Sequence, residues 1–230
     1  MIKIENTDVH GFEAAIRGMR NSMNSWEKSD SWHGCSSGDY GHIDSCDCNN
    51  RCRCDCKFCI GTNDLKLMKK LVSAGSDHSK FMRMITVTCD ITAPIYFNKE
   101  MDTYKVGTVR NSCSTMHTIH KKEFSLDDFS VENMSNEGKM WAEYWVEQLN
   151  RARSAFVQTG NKTYWYDIIA MLPSCYNQRY TWQANYAVLR NIYHARKSHK
   201  LDDWHDFCRW IESLPYSELI TYNKDDEAND

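Results

Sequence analysis

The chain has 230 residues and a mass of 26.9 kDa, with 41% hydrophobic and 26% charged residues. This length predicts one globular domain over 1–230, or at most two small ones. The formal net charge of −3 excludes a global positive field, so a nucleic-acid partner is not expected. Because no apolar run reaches the roughly 20 residues that span a bilayer and the N-terminus lacks a signal-peptide pattern, we expect a cytoplasmic protein without a membrane partner.

The spacing of apolar and β-branched residues predicts a series of helices and strands. Thr62 is predicted to cap the second helix and Gly75 to end it. Helices outnumber strands and the order is mixed, which predicts an α+β fold rather than repeated β-α-β units. In chain order, the predicted elements are a strand over 2–5, helices over 10–21 and 62–74, a strand over 84–91, helices over 94–106, 137–158 and 162–171, a strand over 176–184, and helices over 186–198 and 201–213.

The helix predicted over 137–158 carries an apolar stripe at helical spacing. Such a stripe usually packs in the core or at a subunit interface, and the alternative is a platform for a cofactor. Its members are Trp141, Tyr144, Trp145, Leu149, Ala152 and Phe156.

The chain contains 11 cysteines. An odd number without an export signal favours reduced thiols over a complete disulfide framework. Six of them lie within fourteen positions, and Cys56-Lys-Phe-Cys59 has the two-residue gap of a zinc knuckle. A structural zinc would also order the polar segment 31–60, with reduced thiols, local disulfides or an iron–sulfur role as alternatives. The predicted metal ligands are Cys46, Cys48, Cys52, Cys54, Cys56 and Cys59.

Two colinear stretches resemble the flavin-dependent thymidylate synthases. In the first, His78 and Ala93-Pro94-Ile95-Tyr96 match the family's Gly-His and Ala-Pro-Ile-Phe motifs at the same offsets, and Asn111 and Ser114 match its signature downstream. In the second, the family's Leu-Pro, Trp-x-x-Asn and Leu-Arg pattern is matched without a gap by Leu172, Pro173, Trp182, Asn185, Asn191 and Arg196. The resemblance implies a mixed or antiparallel sheet flanked by helices, into which 31–60 is inserted as a cysteine-rich loop.

The resemblance also implies an activity. The family methylates dUMP in a homotetramer that binds FAD, with NADPH as reductant and methylenetetrahydrofolate as carbon donor. On this basis Ser114 and Arg196 are the catalytic pair that contacts the nucleotide, and the flavin-binding residues are His78, Lys105, Asn111 and Asn191. The family's distribution implies a phage or bacterial source.

This sequence departs from the family's signature. Thr103-Tyr104-Lys105 replaces Arg-His-Arg, and Ile169 stands where a nucleotide-binding Arg is expected. A guanidinium binds phosphate through two parallel hydrogen bonds, so either other cations such as Arg110 or Arg179 compensate, or the substrate has changed. Further replacements are Met84, Thr108, Ser112 and Met116 or His117.

Purely structural roles are the alternatives for the predicted site residues. Arg196 could stabilise a helix C-terminus, Asn111 and Ser114 could be turn residues, and His78 could cap or pack. The alternative function is a repurposed scaffold that binds a nucleotide or a protein and carries a zinc-stabilised loop. A zinc-dependent nucleic-acid binder is a third hypothesis, which the charge balance disfavours.

Overall fold

The computed structural model describes residues 2–35 and 56–223. Within these ranges the chain forms an α+β fold with an antiparallel sheet flanked by helices, which confirms the predicted fold class. The strands are β1 (Lys3–His10), β2 (Trp32–Cys35), β3 (Cys56–Cys59), β4 (Thr86–Pro94), β5 (Val109–Ser112) and β6 (Asn177–Asn185). The helices are α1 (Phe12–Asn21), α2 (Thr62–Ser73), α3 (Ile95–Met101), α4 (Thr115–Thr118), α5 (Asn136–Thr159), α6 (Lys162–Met171), α7 (Tyr186–Arg196), α8 (Asp202–Glu212) and α9 (Glu218–Thr221). None of the described helices is long and apolar enough to cross a membrane.

The main sheet has the strand order β1-β4-β6-β5. Strands β5 and β6 pair antiparallel, with Val109 opposite Gln183 and Ser112 opposite Tyr180. β4 alternates buried and half-buried residues along its length, as expected for a strand with two unequal faces. A second, two-stranded sheet pairs β2 with β3 antiparallel. The sequence did not predict β2, β3 or β5, because each has only four residues and no extended apolar alternation.

The chain divides into two compact units. Unit 1 contains residues 1–8, 88–184 and 194–213, and unit 2 contains 9–87, 185–193 and 214–230. Whether these units make one domain with an insertion at 31–60 stays a prediction, since most of that insertion lies outside the described residues.

The core of unit 1 includes an apolar cluster between α5, α6 and the segment that precedes α5. Leu149 and Ile168 are completely buried there, and burial of each such side chain contributes about 1.5–3 kcal/mol. The cluster consists of Ile119, Phe124, Phe129, Leu149, Ala152, Ile168 and Cys175.

The aromatic stripe of α5 is only partly in this core. Leu149 and Ala152 are buried as predicted, but Trp141 is 65% exposed and Tyr144 is 50% exposed. α5 has 24 residues, and its buried residues lie in the stretch from Ala142 to Ala152. The N-terminal half of α5 therefore presents an aromatic surface to solvent in this chain.

Unit 2 contains a buried ion pair that fixes the chain after α1. Arg20 donates from Nε to Asp64 Oδ1 at 2.7 Å, and its side chain is 5% exposed while that of Asp64 is 0% exposed. Arg20 also donates to the carbonyls of Ser25 and Lys28. Burial alone would raise the pKa of Asp64, but hydrogen bonds from Ser29, Ser31 and Arg20 outweigh it, so that this pKa is lowered.

The N-terminus of α2 is capped from a distant segment. Asp30 accepts hydrogen bonds from the backbone N–H groups of Asn63 and Asp64 at 2.9 and 3.0 Å. The N-cap residue is Gly61, where a Cβ atom would lie 2.2 Å from Asp30 Oδ1. The prediction that Thr62 caps this helix is therefore wrong, because a carboxylate from another segment satisfies the free amides.

Helix α3 ends at Met101, five residues before the predicted end. Thr103 Oγ1 donates to the carbonyl of Glu100 at 2.7 Å, and the Tyr104 N–H donates to the carbonyl of Met101. These bonds close a turn that satisfies the last carbonyls of the helix. The ring centre of Tyr104 lies 6.0 Å from that of Trp204 in α8.

Candidate functional site

Arg196 is the predicted site residue with the most elaborate surroundings. It is the last residue of α7, and its side chain is 18% exposed. Its guanidinium lies 4.7 Å from the ring centre of Trp204 and 5.5 Å from that of Tyr104. Because both rings have a negative face, this arrangement stabilises a positive charge.

Glu100 binds the same guanidinium. Arg196 donates from Nη1 to Glu100 Oε2 at 2.9 Å and from Nε to the Tyr104 hydroxyl at 2.8 Å. Trp204 Nε1 donates to the same Oε2 atom at 2.8 Å, and His199 Nε2 lies 3.6 Å from it. One carboxylate oxygen therefore fixes the side chains of three different segments.

Two polar atoms of this cluster keep unused hydrogen-bonding capacity among the described residues. Arg196 Nη2 and Glu100 Oε1 have no hydrogen-bond partner within the described part of the chain. Nη2 is a donor and Oε1 is an acceptor. A ligand edge that carries a carbonyl beside an N–H group has the complementary acceptor and donor.

Sequence reasoning missed three members of this cluster. Glu100 lies in the predicted helix that contains Pro94, but nothing in its local pattern indicates a partner 96 residues away. Trp204 lies in the helix predicted over 201–213 and is completely buried, so its apolar ring explains its position without indicating a partner. The sequence feature that could have indicated His199 is its position three residues after Arg196, close to the C-terminus of the same helix.

The other predicted residues of unit 1 lie on the segment that follows α3. Lys105 is exposed beside Tyr104, and Asn111 is exposed on β5 opposite Thr181. Ser114 is the N-cap of α4 and accepts a hydrogen bond from the His117 N–H at 3.3 Å. The structure thus gives Ser114 the turn role that was its structural alternative, while its own hydroxyl proton remains able to donate.

Two predicted residues belong to unit 2. His78 is exposed in the turn after α2, where its backbone N–H donates to the carbonyl of Gly75. Asn191 is exposed on α7. Their proposed contacts with a flavin stay predictions.

The two cations expected to compensate for missing arginines are both paired within the chain, Arg110 with Asp102 and Arg179 with Asp90. Arg179 donates to Asp90 Oδ2 at 3.0 Å. Asp90 also accepts from Thr181 at 2.6 Å and from Asn6 at 2.9 Å. The bonds from Thr181, Asn6 and Arg179, in that order of importance, lower the pKa of Asp90 to about 2.

Only two of the six predicted metal ligands lie within the described residues. Cys46, Cys48, Cys52 and Cys54 lie outside the described residues, whereas Cys56 and Cys59 are the first and last residues of β3. Among the described residues, no group of three or more His, Cys, Asp and Glu side chains could hold a metal ion. Zinc binding by the cysteine cluster stays a prediction.

The architecture is that of the flavin-dependent thymidylate synthase fold. Two solved structures of ThyX from Helicobacter pylori, each complexed with FAD and dUMP, match 96% and 97% of this chain and 98% of their own length. The TM-scores are 0.64 and 0.65, and the sequence identities are 15% and 14%. No protein-family model matches the chain, and no curated protein matches it significantly. At this identity the similarity shows the fold.

Proposed function

We propose that this protein is a flavin-dependent enzyme that methylates a pyrimidine deoxynucleotide, either dUMP or a related nucleotide. The observation that carries the proposal is the ion pair of Arg196 and Glu100, in which Nη2 is a donor and Oε1 an acceptor without a hydrogen-bond partner in the described part of the chain. The imide edge of uracil presents a carbonyl oxygen next to N3–H. The guanidinium can donate to the carbonyl and the carboxylate can accept from N3–H, so the pair recognises that edge with charge-assisted hydrogen bonds.

The nucleotide would be held by groups that the cluster already orients. Trp204 and Tyr104 limit the movement of Arg196, so less conformational entropy is lost when a ligand binds. Ser114 would donate its hydroxyl proton to the nucleotide from the N-cap position of α4. The similar fold of the two ThyX structures, which hold FAD and dUMP, supports this assignment.

The chain offers hydrogen-bonding groups that fit a flavin. Asn111 is exposed on β5 and can both donate and accept, and the Lys105 ammonium is exposed six residues before it. His78 and Asn191 complete the proposed flavin set. FAD supplies the redox chemistry when bound, with NADPH as reductant and methylenetetrahydrofolate as carbon donor. A homotetramer, as in the family, would complete the site.

The first experiment is an absorption spectrum of the purified protein before and after addition of FAD and desalting. We expect retained flavin and NADPH oxidation that depends on dUMP. Arg196→Gln should lose nucleotide binding, whereas the matched variant Arg209→Gln, at an exposed position of α8, should retain it. A colourless protein that takes up no FAD would exclude the enzyme.

A second candidate is a repurposed scaffold that binds a nucleotide without a flavin, or binds a protein. Glu100 favours it, because its carboxylate offsets the charge of Arg196 and disfavours a phosphate at that position. In this case the flavin-free protein would bind nucleotide with an affinity unchanged by FAD. If Arg196→Gln bound its partner normally and only variants of the cysteine cluster failed, the repurposed scaffold would be favoured.

A further inference from the structure

The two-stranded sheet of unit 2 places two cysteines opposite each other. In its antiparallel register Cys35, the last residue of β2, pairs with Cys56, the first residue of β3. Residues that are directly opposite in such a ladder have Cα atoms about 4.5–5.5 Å apart. A disulfide needs Cα atoms about 4.4–6.8 Å apart. The backbone register therefore places these two cysteines within the range of a covalent bridge.

The alternation of residues along the two strands assigns this pair to one face of the sheet. His33 pairs with Phe58 in the register, and the centres of their rings lie 5.1 Å apart, so these two residues share a face. Because residues two apart in a strand lie on the same face, Cys35 and Cys56 belong to the face of His33. Cys59 follows Cys56 by three residues and lies on the opposite face. The two-residue gap of the predicted zinc knuckle therefore separates its cysteines in this strand, whereas the register pairs Cys56 with Cys35.

This face of the sheet is accessible to a small reagent. The side chain of His33 is exposed, and its Nε2 atom lies 3.4 Å from Oε2 of Glu13, which is exposed as well. A disulfide forms by exchange when a thiolate attacks a sulfur of the oxidant, so the rate depends on access to the thiol. The position of the pair beside an exposed histidine thus permits reaction with a small disulfide.

The opposite end of the ladder is anchored by two hydrogen bonds. The Gly61 N–H donates to Ser31 Oγ at 2.9 Å, and the Ile60 N–H donates to the Tyr216 hydroxyl at 2.9 Å. Both bonds lie just outside the first residue of β2 and the last residue of β3. A two-stranded ladder of this length is marginally stable by itself. A bridge at the last pair would fasten the end that these two bonds do not reach, and it would enclose residues 36–55.

We propose that Cys35 and Cys56 form a reversible disulfide that closes β2 and β3 at the base of the segment 36–55. The two thiols lose two protons and two electrons as the S–S bond forms. The oxidant is a low-molecular-weight disulfide such as oxidised glutathione, which takes up these protons and electrons and is released as two thiols. Reversible bridges of this kind serve as redox sensors. The proposal requires neither a flavin nor a nucleotide.

Peptide mapping of the full chain tests the bridge. The protein is equilibrated with oxidised glutathione, its remaining thiols are blocked with N-ethylmaleimide under denaturing conditions, and it is digested with trypsin and endoproteinase Asp-N. This digestion separates Cys35 and Cys56 from every other cysteine, because they fall in peptides 30–38 and 55–57. We expect a disulfide between these two peptides that dithiothreitol cleaves. Linkage of either peptide to another cysteine, or maleimide on both, would overturn the proposal.

Two serine variants locate the bridge by the number of cysteines outside intrachain disulfides. Maleimide labels and glutathione adducts, counted together from the intact mass, give this number. Cys35→Ser should raise it by one although it removes a cysteine, because Cys56 then loses its partner. The control Cys113→Ser, at an exposed cysteine of unit 1, should lower it by one. Any result other than an increase in Cys35→Ser would overturn the proposal, and if this variant fails to fold, mapping of the unmodified protein still decides.

The bridge should also raise the thermal stability of the oxidised protein. We expect the oxidised form to melt at least about 4 °C above the form reduced with dithiothreitol, since a disulfide constrains the unfolded chain. The difference should persist in Cys113→Ser and disappear in Cys35→Ser. Equal melting temperatures of the oxidised and reduced unmodified protein would overturn closure of the sheet by this bond.

Metal binding by the same two cysteines would be recognised with a chelator. Zinc binds thiolates, so a bound zinc would block exchange with oxidised glutathione. If peptides 30–38 and 55–57 become linked only after treatment with a zinc chelator, the pair holds a metal and the proposal is wrong. Linkage without the chelator supports it. Neither result depends on FAD uptake, so failure of the proposed enzyme function would be observed separately.

Discussion

Arg196 donates to Glu100 at 2.9 Å, and the oxygen that accepts this bond also accepts from Trp204 at 2.8 Å. This shared oxygen determines which atoms of the pair are engaged within the chain. Because Oε2 is occupied by two donors, Oε1 is the acceptor that remains. The proposed recognition of uracil by this pair therefore depends on hydrogen-bond pattern as well as on charge.

This relationship predicts a change of base preference. In Glu100→Gln the amide oxygen must take the place of Oε2 to accept from Arg196 and Trp204, so the amide N–H₂ replaces the available acceptor. A donor there suits N3 of cytosine and opposes N3–H of uracil. We expect the ratio of dUMP to dCMP affinity to fall at least about tenfold, as measured by calorimetry. An unchanged ratio, or an equal change in the exposed control Glu143→Gln, would contradict this recognition.

Loss of one partner of the buried Arg20–Asp64 pair should strongly destabilise the protein. Asp64→Ala leaves a buried guanidinium without its carboxylate, at a cost of about 3–5 kcal/mol in the free energy of unfolding. Urea denaturation measures it. The exposed pair of Arg151 and Glu147 is the control, and Glu147→Ala should change stability by only about 0–1 kcal/mol. Similar losses in the free energy of unfolding for the two variants would contradict a larger contribution from the buried pair.

Asp90 should make stability depend on acidic pH. Its pKa in the folded protein is about 2, below the ordinary value of 3.8. The stabilisation is therefore complete above pH 3.8 and is lost as the pH falls toward 2. In Asp90→Asn the urea midpoint should depend less on pH over this interval than in the unmodified protein. The exposed control Asp127→Asn should keep the original dependence of the urea midpoint on pH. An unaltered dependence in Asp90→Asn would contradict the assignment of this effect to Asp90.

Substitution by alanine should destabilise the protein by different amounts at two glycines with positive φ. Gly11 has φ 98°, and a Cβ atom there would lie 2.0 Å from the carbonyl oxygen of Met84, whereas Gly160 has φ 66° and open space. Gly160→Ala should cost only the backbone strain, about 1–2 kcal/mol. Gly11→Ala should cost about 1–3 kcal/mol more because backbone must move. Thermal and urea unfolding of both variants test this difference, and equal costs would exclude the clash.

The exposed aromatic surface of α5 should mediate the proposed self-association. Large exposed apolar patches usually mark interaction surfaces. We expect a homotetramer by size-exclusion chromatography with light scattering, and a smaller species for the double variant Trp141→Glu and Tyr144→Glu. Val106→Glu changes a residue that is 89% exposed outside this surface and should keep the mass. A monomeric parent protein, or a double variant of unchanged mass, would contradict the assignment.

The sequence by itself determined the class of fold and most of the long elements. α6 was predicted with its observed bounds, and α5 was predicted to within one residue at each end. These helices carry a clear apolar period, and Gly160, with its positive φ, ends α5. Local periodicity is sufficient where a helix has several turns and a defined end.

Only the tertiary structure decided the caps, the short strands and the site partners. Asp30 caps α2 from 33 residues away, and Glu100 binds Arg196 from 96 residues away. Such pairs depend on how distant segments pack, and no local pattern encodes them. The exposure of Trp141 has the same origin, because a stripe shows which side of a helix is apolar but not what covers it. The sequence therefore predicted Arg196 as a site residue, while the fold determined which of its side-chain atoms are engaged within the chain.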